Sequence, residues 1–244
     1  MAYSKVAIEK EIKDSLEFID TFYKKKIHNY TGKATKTNEY YSEIIATAIL
    51  NSLSHFEKIK KITRNSKGKS YSTKSHHNGT SSINYESKRH EENYVKKLFN
   101  EKITHDHLGQ IIDFQIPLKD GKSDKAGKFD IMSFHGDTLY LIELKYGDNQ
   151  ETLLRAILEV HTYCKIIDHI KLTNDFKHLL PDNGYVIRPA VMVVNDPKKK
   201  ACKSFVELEE LERGERVNLK ELAKEFKITF FKSADGKKFE IIKF

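Results

Sequence analysis

Asp130, Glu143 and Lys145 are the residues of this chain whose types and spacing could do chemistry. Gly136-Asp137 lies between them, flanked by two runs rich in apolar and aromatic residues, which is typical of a β-hairpin with a two-residue loop. That loop places Asp130 opposite Glu143, with Cβ atoms roughly 4.5–5.5 Å apart on one face of the sheet. Lys145 shares this face because side chains alternate along a strand. The sequence therefore predicts two carboxylates and an ammonium group side by side.

Two facing carboxylates on such apolar strands repel each other and lose their hydration, so they need a cation or a shared proton. A divalent metal ion would compensate them, since Mg²⁺ prefers oxygen ligands. Carboxylates with a neighbouring lysine are also the groups that metal-assisted phosphodiester cleavage uses. The alternative is a partly buried ion-pair cluster at the end of a sheet, in which Lys145 neutralises one carboxylate. We favour the metal site.

The same spacing resembles the D…(D/E)xK signature of the PD-(D/E)XK nuclease superfamily, which has its acid on the second core strand and ExK on the third. Here Asp130 is followed by twelve intervening residues and then by Glu143-Leu144-Lys145. Phe129 stands where the motif has proline, a departure that is common in the superfamily. The specificity of the match comes from its context, a hairpin in register with a helix on either side. The resemblance covers about residues 85–196.

This resemblance implies both a fold and a set of roles. The fold class is α/β, with a restriction-endonuclease-like αβββαβ core whose central mixed sheet is flanked by helices. Asp130, Glu143 and the carbonyl of Leu144 are implied to bind Mg²⁺ or Mn²⁺. Lys145 is implied to orient the attacking water or to assist it electrostatically.

The helix predicted for residues 86–101 precedes the first core strand and supplies a third acid. Its predicted buried residues are Tyr94, Val95, Leu98 and Phe99. Glu91 lies one turn before Val95 and projects from the middle of that side, whereas Glu92 falls at its margin. Superfamily members often place an acid from this helix beside the metal. Glu91 is therefore the candidate, both as catalytic residue and as metal ligand, and a solvated charge at the helix start is the alternative.

The periodicity of apolar residues predicts the remaining core elements. Residues 111–118 predict a first strand with Ile112, Phe114 and Ile116 on one face. The strand after the hairpin is apolar on both faces, which indicates a central strand covered by helices. A helix from about residue 149 to 167 follows, with Arg155 and Glu159 predicted to be exposed and Tyr163 at the edge of its buried side.

The C-terminal part predicts a strand, a capped helix and a hairpin. Residues 190–194 indicate a buried strand parallel to the central one, because a helix connects the two. Residues 204–207 resemble a capping box that opens a short helix. The tail around residues 234–236 predicts a closing hairpin.

Residues 1–63 form a predicted N-terminal helical region. Apolar spacing indicates a helix from Ser4, the expected N-cap, to about residue 23, and a longer one over about residues 38–62. The two could pair as a helical hairpin, either as an appendage or as a cover on the core. Core packing is the favoured explanation of their apolar sides, and a homodimer interface is the alternative.

Residues 64–85 differ from the rest of the chain, because they include no acidic residue and are rich in Ser, Gly, Asn and Lys. This composition predicts a mobile linker between the helical region and a nuclease-like domain at residues 86–244. A basic flap that orders on nucleic acid and a solvated linker are both consistent with it. His76-His77 is expected to be exposed and not a metal site.

Composition favours a soluble protein that acts on a polyanion. The 244 residues carry a formal net charge of +8 and a pI near 9.1, which suits phosphate contacts. No apolar run reaches the length of a membrane span and no signal peptide is recognisable, so we expect a cytoplasmic protein. Cys164 and Cys202 are expected to be reduced thiols.

Together these features predict a magnesium-dependent nuclease, with DNA a better candidate substrate than RNA. A catalytically inactive nucleic-acid-binding protein on the same fold is the alternative. It would keep the basic surface without needing Asp130, Glu143 and Lys145.

Overall fold

The computed structural model describes residues 3–64, 66, 69–77, 80–84, 86–124, 126–182, 184–242 and 244, and within them the chain folds into a mixed α/β structure around one seven-stranded sheet. The strands lie in the sheet in the same order as in the chain. Their bounds are β1 Thr104–His105, β2 Gly109–Pro117, β3 Lys128–His135, β4 Thr138–Tyr146, β5 Val186–Val194, β6 Thr229–Ser233 and β7 Glu240–Ile242. Strands β1 to β4 are antiparallel neighbours, β5 and β6 run parallel to β4, and β7 returns antiparallel.

The hairpin of β3 and β4 has the predicted two-residue loop. His135 pairs with Thr138, and the same register continues to the pair of Ile131 with Ile142. Gly136 adopts a φ of 62°, a left-handed conformation that glycine adopts without steric cost. The parallel pairing of β5 with β4 and the closing hairpin of β6 and β7 are also confirmed.

Strand β2 differs from its predicted alternation. A register shift separates Ile111 from Asp113 in the pairing with β3, which is a β-bulge. The extra residue puts Phe114 on the side opposite Ile112, and Gln115, whose φ is 49°, interrupts the alternation again before Ile116. Ile112 and Ile116 therefore pack on one side of the sheet and Phe114 on the other. The prediction that these three share one face is therefore wrong, because a bulge breaks the period of two.

Helices cover both faces of the sheet. They are α1 Lys5–Ser15, α2 Tyr41–Leu50, α3 His90–Glu101, α4 Leu153–Ile166, α5 His169–Phe176, α6 Lys203–Glu212 and α7 Val217–Glu225. Helix α3 packs on one face through its four predicted apolar residues, whereas α1, α2, α4, α6 and α7 share a larger hydrophobic cluster on the other. Strand β4 is buried from Leu139 to Lys145, as its apolar sequence predicts. None of the described helices has the length and apolarity needed to cross a membrane.

The N-terminal helices are shorter than predicted but pack on the core. Ser4 caps α1 by accepting a hydrogen bond from the Ala7 N–H, as expected. Helix α2 ends at Leu50, and a separate 3₁₀ segment, Leu53–Lys58, replaces the rest of the predicted long helix. The Glu43 carboxylate of α2 accepts hydrogen bonds from two N–H groups at the start of α7. This part of the chain therefore covers the core, while the predicted domain boundaries stay predictions.

Residues 64–85 are partly attached to the core. Tyr71 is fully buried and donates a hydrogen bond to the Ile62 carbonyl, and Arg64 donates one to the Ser70 carbonyl at 3.2 Å. Asn65, Lys67, Gly68, Asn78, Gly79 and Tyr85 lie outside the described residues. The mobility of this segment stays a prediction.

The capping box predicted at residues 204–207 is wrong. Helix α6 has Cys202 as its N-cap and no side-chain cap. Ser204 donates to the Glu151 carbonyl at 2.7 Å, and the Glu207 carboxylate accepts the Leu153 N–H at 2.7 Å. Glu207 therefore caps the neighbouring helix α4, whose first N–H groups lack partners within that helix.

Two buried histidines predict acid-labile folding. Burial lowers the pKa of His28 and of His161 to about 3, so each stays neutral in the folded protein. Unfolded histidine titrates near pH 6.5, so the stability that these residues contribute is present above that pH and is lost as the pH falls towards 3. Each should remove about 1.4 kcal/mol from the free energy of unfolding per pH unit in this window.

Urea unfolding of wild type and His161→Phe at pH 7 and pH 5 measures this effect. The variant should lose less stability on acidification, because phenylalanine can keep the ring stack on Phe226 at 3.6 Å without taking up a proton. Phe56 is a buried neighbour of His161 without a titratable group. Phe56→Leu should therefore be less stable than wild type by the same free energy at pH 7 and at pH 5. Equal acid sensitivity of wild type and His161→Phe would contradict the prediction.

Candidate active site

Two of the three motif residues, Glu143 and Lys145, lie on the face of the sheet that α4 covers. Leu141 belongs to the hydrophobic cluster that includes α4, and alternation along β4 puts Glu143 and Lys145 on the same side. Asp130 lies at the end of β3, where its carboxylate accepts the Leu144 N–H of β4. The hairpin and its covering helix therefore bring the predicted carboxylates and the ammonium group together at one end of β4.

Asp130 is held by hydrogen bonds where the hairpin ladder ends. Its Oδ2 accepts the backbone N–H of Leu144 and its Oδ1 accepts the Gln115 side-chain N–H, both at 2.9 Å. The paired residues of the ladder stop at Ile131 and Ile142, one pair short of Asp130 and Glu143. Burial and the nearby Glu91 carboxylate raise the pKa of Asp130 to about 7.

Lys145 is buried among carboxylates. Its Nζ lies 2.9 Å from Glu143 Oε1, 2.5 Å from Glu151 Oε2 and 3.9 Å from Glu159 Oε2. Lys145 is 3% exposed and Glu143 6%. Burial acts to lower the pKa of Lys145, but these carboxylates raise it well above its usual value. Burial, Asp130 and Glu159 raise the pKa of Glu143, so Lys145 offsets only part of the crowding.

Glu91, and not Glu92, faces this group of charges. Glu91 Oε1 accepts the Tyr146 N–H at 3.2 Å and the Asn149 side-chain N–H at 2.7 Å. Burial raises the pKa of Glu91, and the Lys145 ammonium partly opposes that shift. Glu92 instead pairs with Lys96 at 2.8 Å on its own helix. The structure therefore places the predicted helix acid beside the motif residues.

Helix α4 contributes to the site two side chains that its apolar periodicity predicts to be exposed to solvent. Arg155 and Glu159 were expected to be exposed, but their side chains are 19% and 12% exposed, and Glu159 reaches Lys145. Arg155 lies 2.9 Å from Glu151, and the buried Tyr163 donates a hydrogen bond to Glu159 at 2.8 Å. The expectation is wrong because a buried ammonium group recruits carboxylates from the nearest helix. The spacing of Glu151, Arg155 and Glu159, four residues apart, was the available signal.

Gly127 makes room for this arrangement and predicts a sensitive position. A Cβ added to Gly127 would overlap the Tyr163 hydroxyl. Gly127→Ala should therefore push Tyr163 away from Glu159 and lower the free energy of unfolding by about 1–3 kcal/mol. Removing the hydroxyl with Tyr163→Phe should relieve most of that cost in the double variant. Chemical unfolding of both single variants and the double variant measures it, and additive losses would contradict a direct clash.

The charges around Lys145 leave a negative excess. Five carboxylates, those of Glu91, Asp130, Glu143, Glu151 and Glu159, surround two cations, Lys145 and Arg155. Burial, and after it repulsion from the neighbouring carboxylates, raises the pKa of Asp130 and of Glu143. Within the described ranges, however, no three His, Cys, Asp or Glu side chains are already placed to hold one metal ion.

A cleft of about 340 Å³ opens above the cluster, and we call it the acid cleft. Its walls include Glu91, Gln115, Asp130, Tyr146 and Asn149. Glu143 and Lys145 lie below it and do not line it. Solvent and a phosphate group can therefore reach Asp130 and Glu91 directly.

No family model, curated protein or solved structure matches this chain. The resemblance to the PD-(D/E)XK superfamily therefore stays a prediction from the sequence motif.

A second polar cluster lies away from the acid cleft. Asp113 of β2 is fully buried, and its Oδ1 is 2.7 Å from His76 Nδ1, while its Oδ2 is 3.5 Å from His77 Nε2. The ring of His76 stacks on Phe114 at 3.9 Å. The expectation that both histidines are exposed is wrong, because a buried carboxylate binds them to the sheet. Sequence reasoning missed Asp113, and its place in an apolar strand was the only signal.

The two cysteines are free, with no disulfide between them. Cys202 is buried and Cys164 half-buried, and burial raises the pKa of both thiols. Neither belongs to the site.

Proposed function

We propose that the protein is a nuclease that hydrolyses phosphodiester bonds with the help of Mg²⁺ or Mn²⁺, and that DNA is a better substrate for it than RNA. The observation that carries the proposal is the grouping of Asp130, Glu143 and Lys145 at one end of β4, with Glu91 beside them. Perturbed carboxylates beside a cleft mark functional sites more often than ordinary surface charge does.

The order of elements supports placing this site on a PD-(D/E)XK core. Apart from the short strand β1, helix α3 is followed by three antiparallel strands, β2 to β4, then by the helices α4 and α5 and by β5 parallel to β4. Without β1 and α5 this is the αβββαβ order implied by the motif. We propose that β1, α5, the elements after β5 and the N-terminal helices are additions to this core.

The donor set fits a hard divalent cation. Asp130, Glu143 and Glu91 offer carboxylate oxygens, the ligands that Mg²⁺ prefers, and we propose the Leu144 carbonyl as a further ligand. The negative excess of the cluster and the raised pKa values are what a dication would relieve. Bound there, the metal would polarise the phosphodiester and supply an activated water as nucleophile.

The protein's own groups would position the reaction. Gln115 and the Leu144 N–H hold the Asp130 carboxylate in one orientation, and Tyr146 and Asn149 hold that of Glu91. Lys145 stays charged among its carboxylates and, although it does not line the acid cleft, would add a fixed positive charge beside Glu143. Fixed charges that need no rearrangement during the reaction are an efficient way to stabilise its transition state.

A nucleic-acid-binding protein without catalysis is the second candidate. The observation in its favour is the ion pair of Lys145 with Glu143 and Glu151, which already neutralises part of the cluster. In the part of the chain that the structure describes, no ready-made three-ligand metal site accompanies it.

The test is cleavage by the purified protein of single- and double-stranded DNA and RNA, linear and circular, with Mg²⁺, Mn²⁺ or EDTA. Cleavage should require the metal and should disappear in Asp130→Asn, which keeps the shape but loses a charged ligand. Lys200→Ala, an exposed residue outside the acid cleft, is the control. If the wild-type protein binds nucleic acid but cleaves none of these substrates, the nuclease proposal fails and the non-catalytic binding protein takes its place.

A further inference from the structure

Tyr146 separates two adjoining clefts. It lines the acid cleft, and together with His90 it also lines a neighbouring cleft of about 340 Å³, which we call the side cleft. The side cleft is bordered further by Tyr94, Lys97 and Lys199. The two clefts share Tyr146 and His90 and therefore adjoin at the Tyr146 ring, and we call them together the path.

The ring of Tyr146 is partly exposed and firmly held. One face stacks on Tyr94, with ring centroids 4.4 Å apart and planes inclined by 16°. The hydroxyl lies 3.3 Å from Asp196 Oδ2, and the backbone N–H donates to Glu91. Tyr94 is in turn fixed by its hydroxyl bond to the Gly236 carbonyl at 3.1 Å. The result is a rigid aromatic surface directly beside the proposed reaction site.

Cations along the path are available for phosphates. Lys88 and Arg89 border the acid cleft, and Lys97 borders the side cleft. Lys88 and Lys97 are exposed and have no ion-pair partner within the described part of the chain. Among the described residues, Arg89 forms an ion pair with Glu92 alone, at 3.3 Å on the surface, and such a pair is easily exchanged.

We propose that these clefts bind consecutive nucleotides of a single strand and that the base next to the scissile phosphate stacks on Tyr146. The inference rests on the proposed nuclease function and specifies its substrate as single-stranded or locally unpaired nucleic acid. In a duplex both faces of a base are covered by its neighbours, so a protein ring can stack only on a base that has left the helix. Aromatic rings on which bases stack are a usual means of binding such strands, and here the lysines and arginine at the borders of the clefts alternate with carboxylates.

Binding without divalent metal tests the inference. Fluorescence titrations in EDTA would use single-stranded oligonucleotides with 2-aminopurine at successive positions, and matched oligonucleotides with one abasic site. Tyr146→Ala should weaken binding by about 5- to 100-fold, the usual effect of losing one stacked base. Tyr146→Phe, which keeps the ring, should bind within about twofold of wild type.

Two comparisons make the result specific. An abasic site at the stacked position should weaken binding to wild type but cause no further loss in Tyr146→Ala. Tyr30→Ala removes a ring that also stacks on a tyrosine, Tyr3, but borders neither cleft, so it should bind like wild type.

Undiminished binding by Tyr146→Ala, or an abasic effect that persists in this variant, would overturn the inference. A wild type that cleaves duplex substrates and is unaffected by Tyr146→Ala overturns the inference and leaves the nuclease function standing. Single-strand binding through Tyr146 without metal-dependent cleavage supports the stacking surface and overturns the nuclease function instead. Thermal unfolding of each variant checks that the fold is intact, and the abasic comparison in wild type needs no substitution.

Discussion

Glu143→Gln is expected to lower metal-dependent cleavage by about two to three orders of magnitude, the loss that follows removal of one preorganised electrostatic contact in an active site. Glutamine keeps the shape of glutamate but replaces a charged oxygen ligand by a neutral amide. Nucleic-acid binding should persist, because lysine and arginine contacts with phosphates dominate affinity. Single-turnover cleavage and equilibrium binding of the same substrate separate the two effects.

Stability should move in the opposite direction from activity. The pKa of Glu143 is raised, so keeping this group ionised in the folded protein costs stability as the pH rises above the usual range of glutamate. Glu143→Gln should therefore be at least as stable as wild type at pH 5, and its advantage should grow towards pH 8. A variant that cleaves like wild type would refute the assignment of Glu143. A variant that unfolds more easily at pH 8 would refute the charge-crowding account.

Lys145→Met is expected to be the most destabilising single substitution at the site. It removes the ammonium group that contacts Glu143 and Glu151 and leaves carboxylates at a nearly inaccessible position. Loss of one partner from a buried ion pair typically costs about 3–5 kcal/mol. The cost should shrink at pH 5, because the raised pKa values of Asp130 and Glu143 allow them to take up protons there.

Two variants serve as controls for Lys145→Met. Lys165→Met removes a half-exposed lysine of α4 that pairs with the exposed Glu57, and such surface pairs contribute about 0.2–1 kcal/mol. Adding Glu143→Gln to Lys145→Met should restore part of the lost stability, because fewer unpaired charges remain. Urea unfolding at pH 8 and pH 5 measures all four proteins. If Lys145→Met and Lys165→Met are equally stable, Lys145 does not hold the cluster together.

The sequence by itself determined the local geometry of the site. Two residues between His135 and Thr138 leave room only for a tight turn, and that turn sets the register from Ile131 to Ile142. Strand alternation then assigns Glu143 and Lys145 to one face. The apolar side of α3 and the Ser4 cap followed in the same way, because helical periodicity fixes which residues share a side and the cap bond joins residues three positions apart.

Only the tertiary structure decided which distant groups meet these residues. The bulge in β2 reversed the face of Phe114 and is invisible in a pattern that alternates. Glu159 turned towards Lys145, and Glu207 bonded the start of α4 instead of its own helix. In both of these carboxylate contacts a buried charge or an unpaired N–H group takes the nearest partner in space, since leaving it unpaired costs more free energy than abandoning a local preference. Sequence spacing fixes neighbours along the chain, but the packing of the sheet and its helices fixes the neighbours of a buried charge.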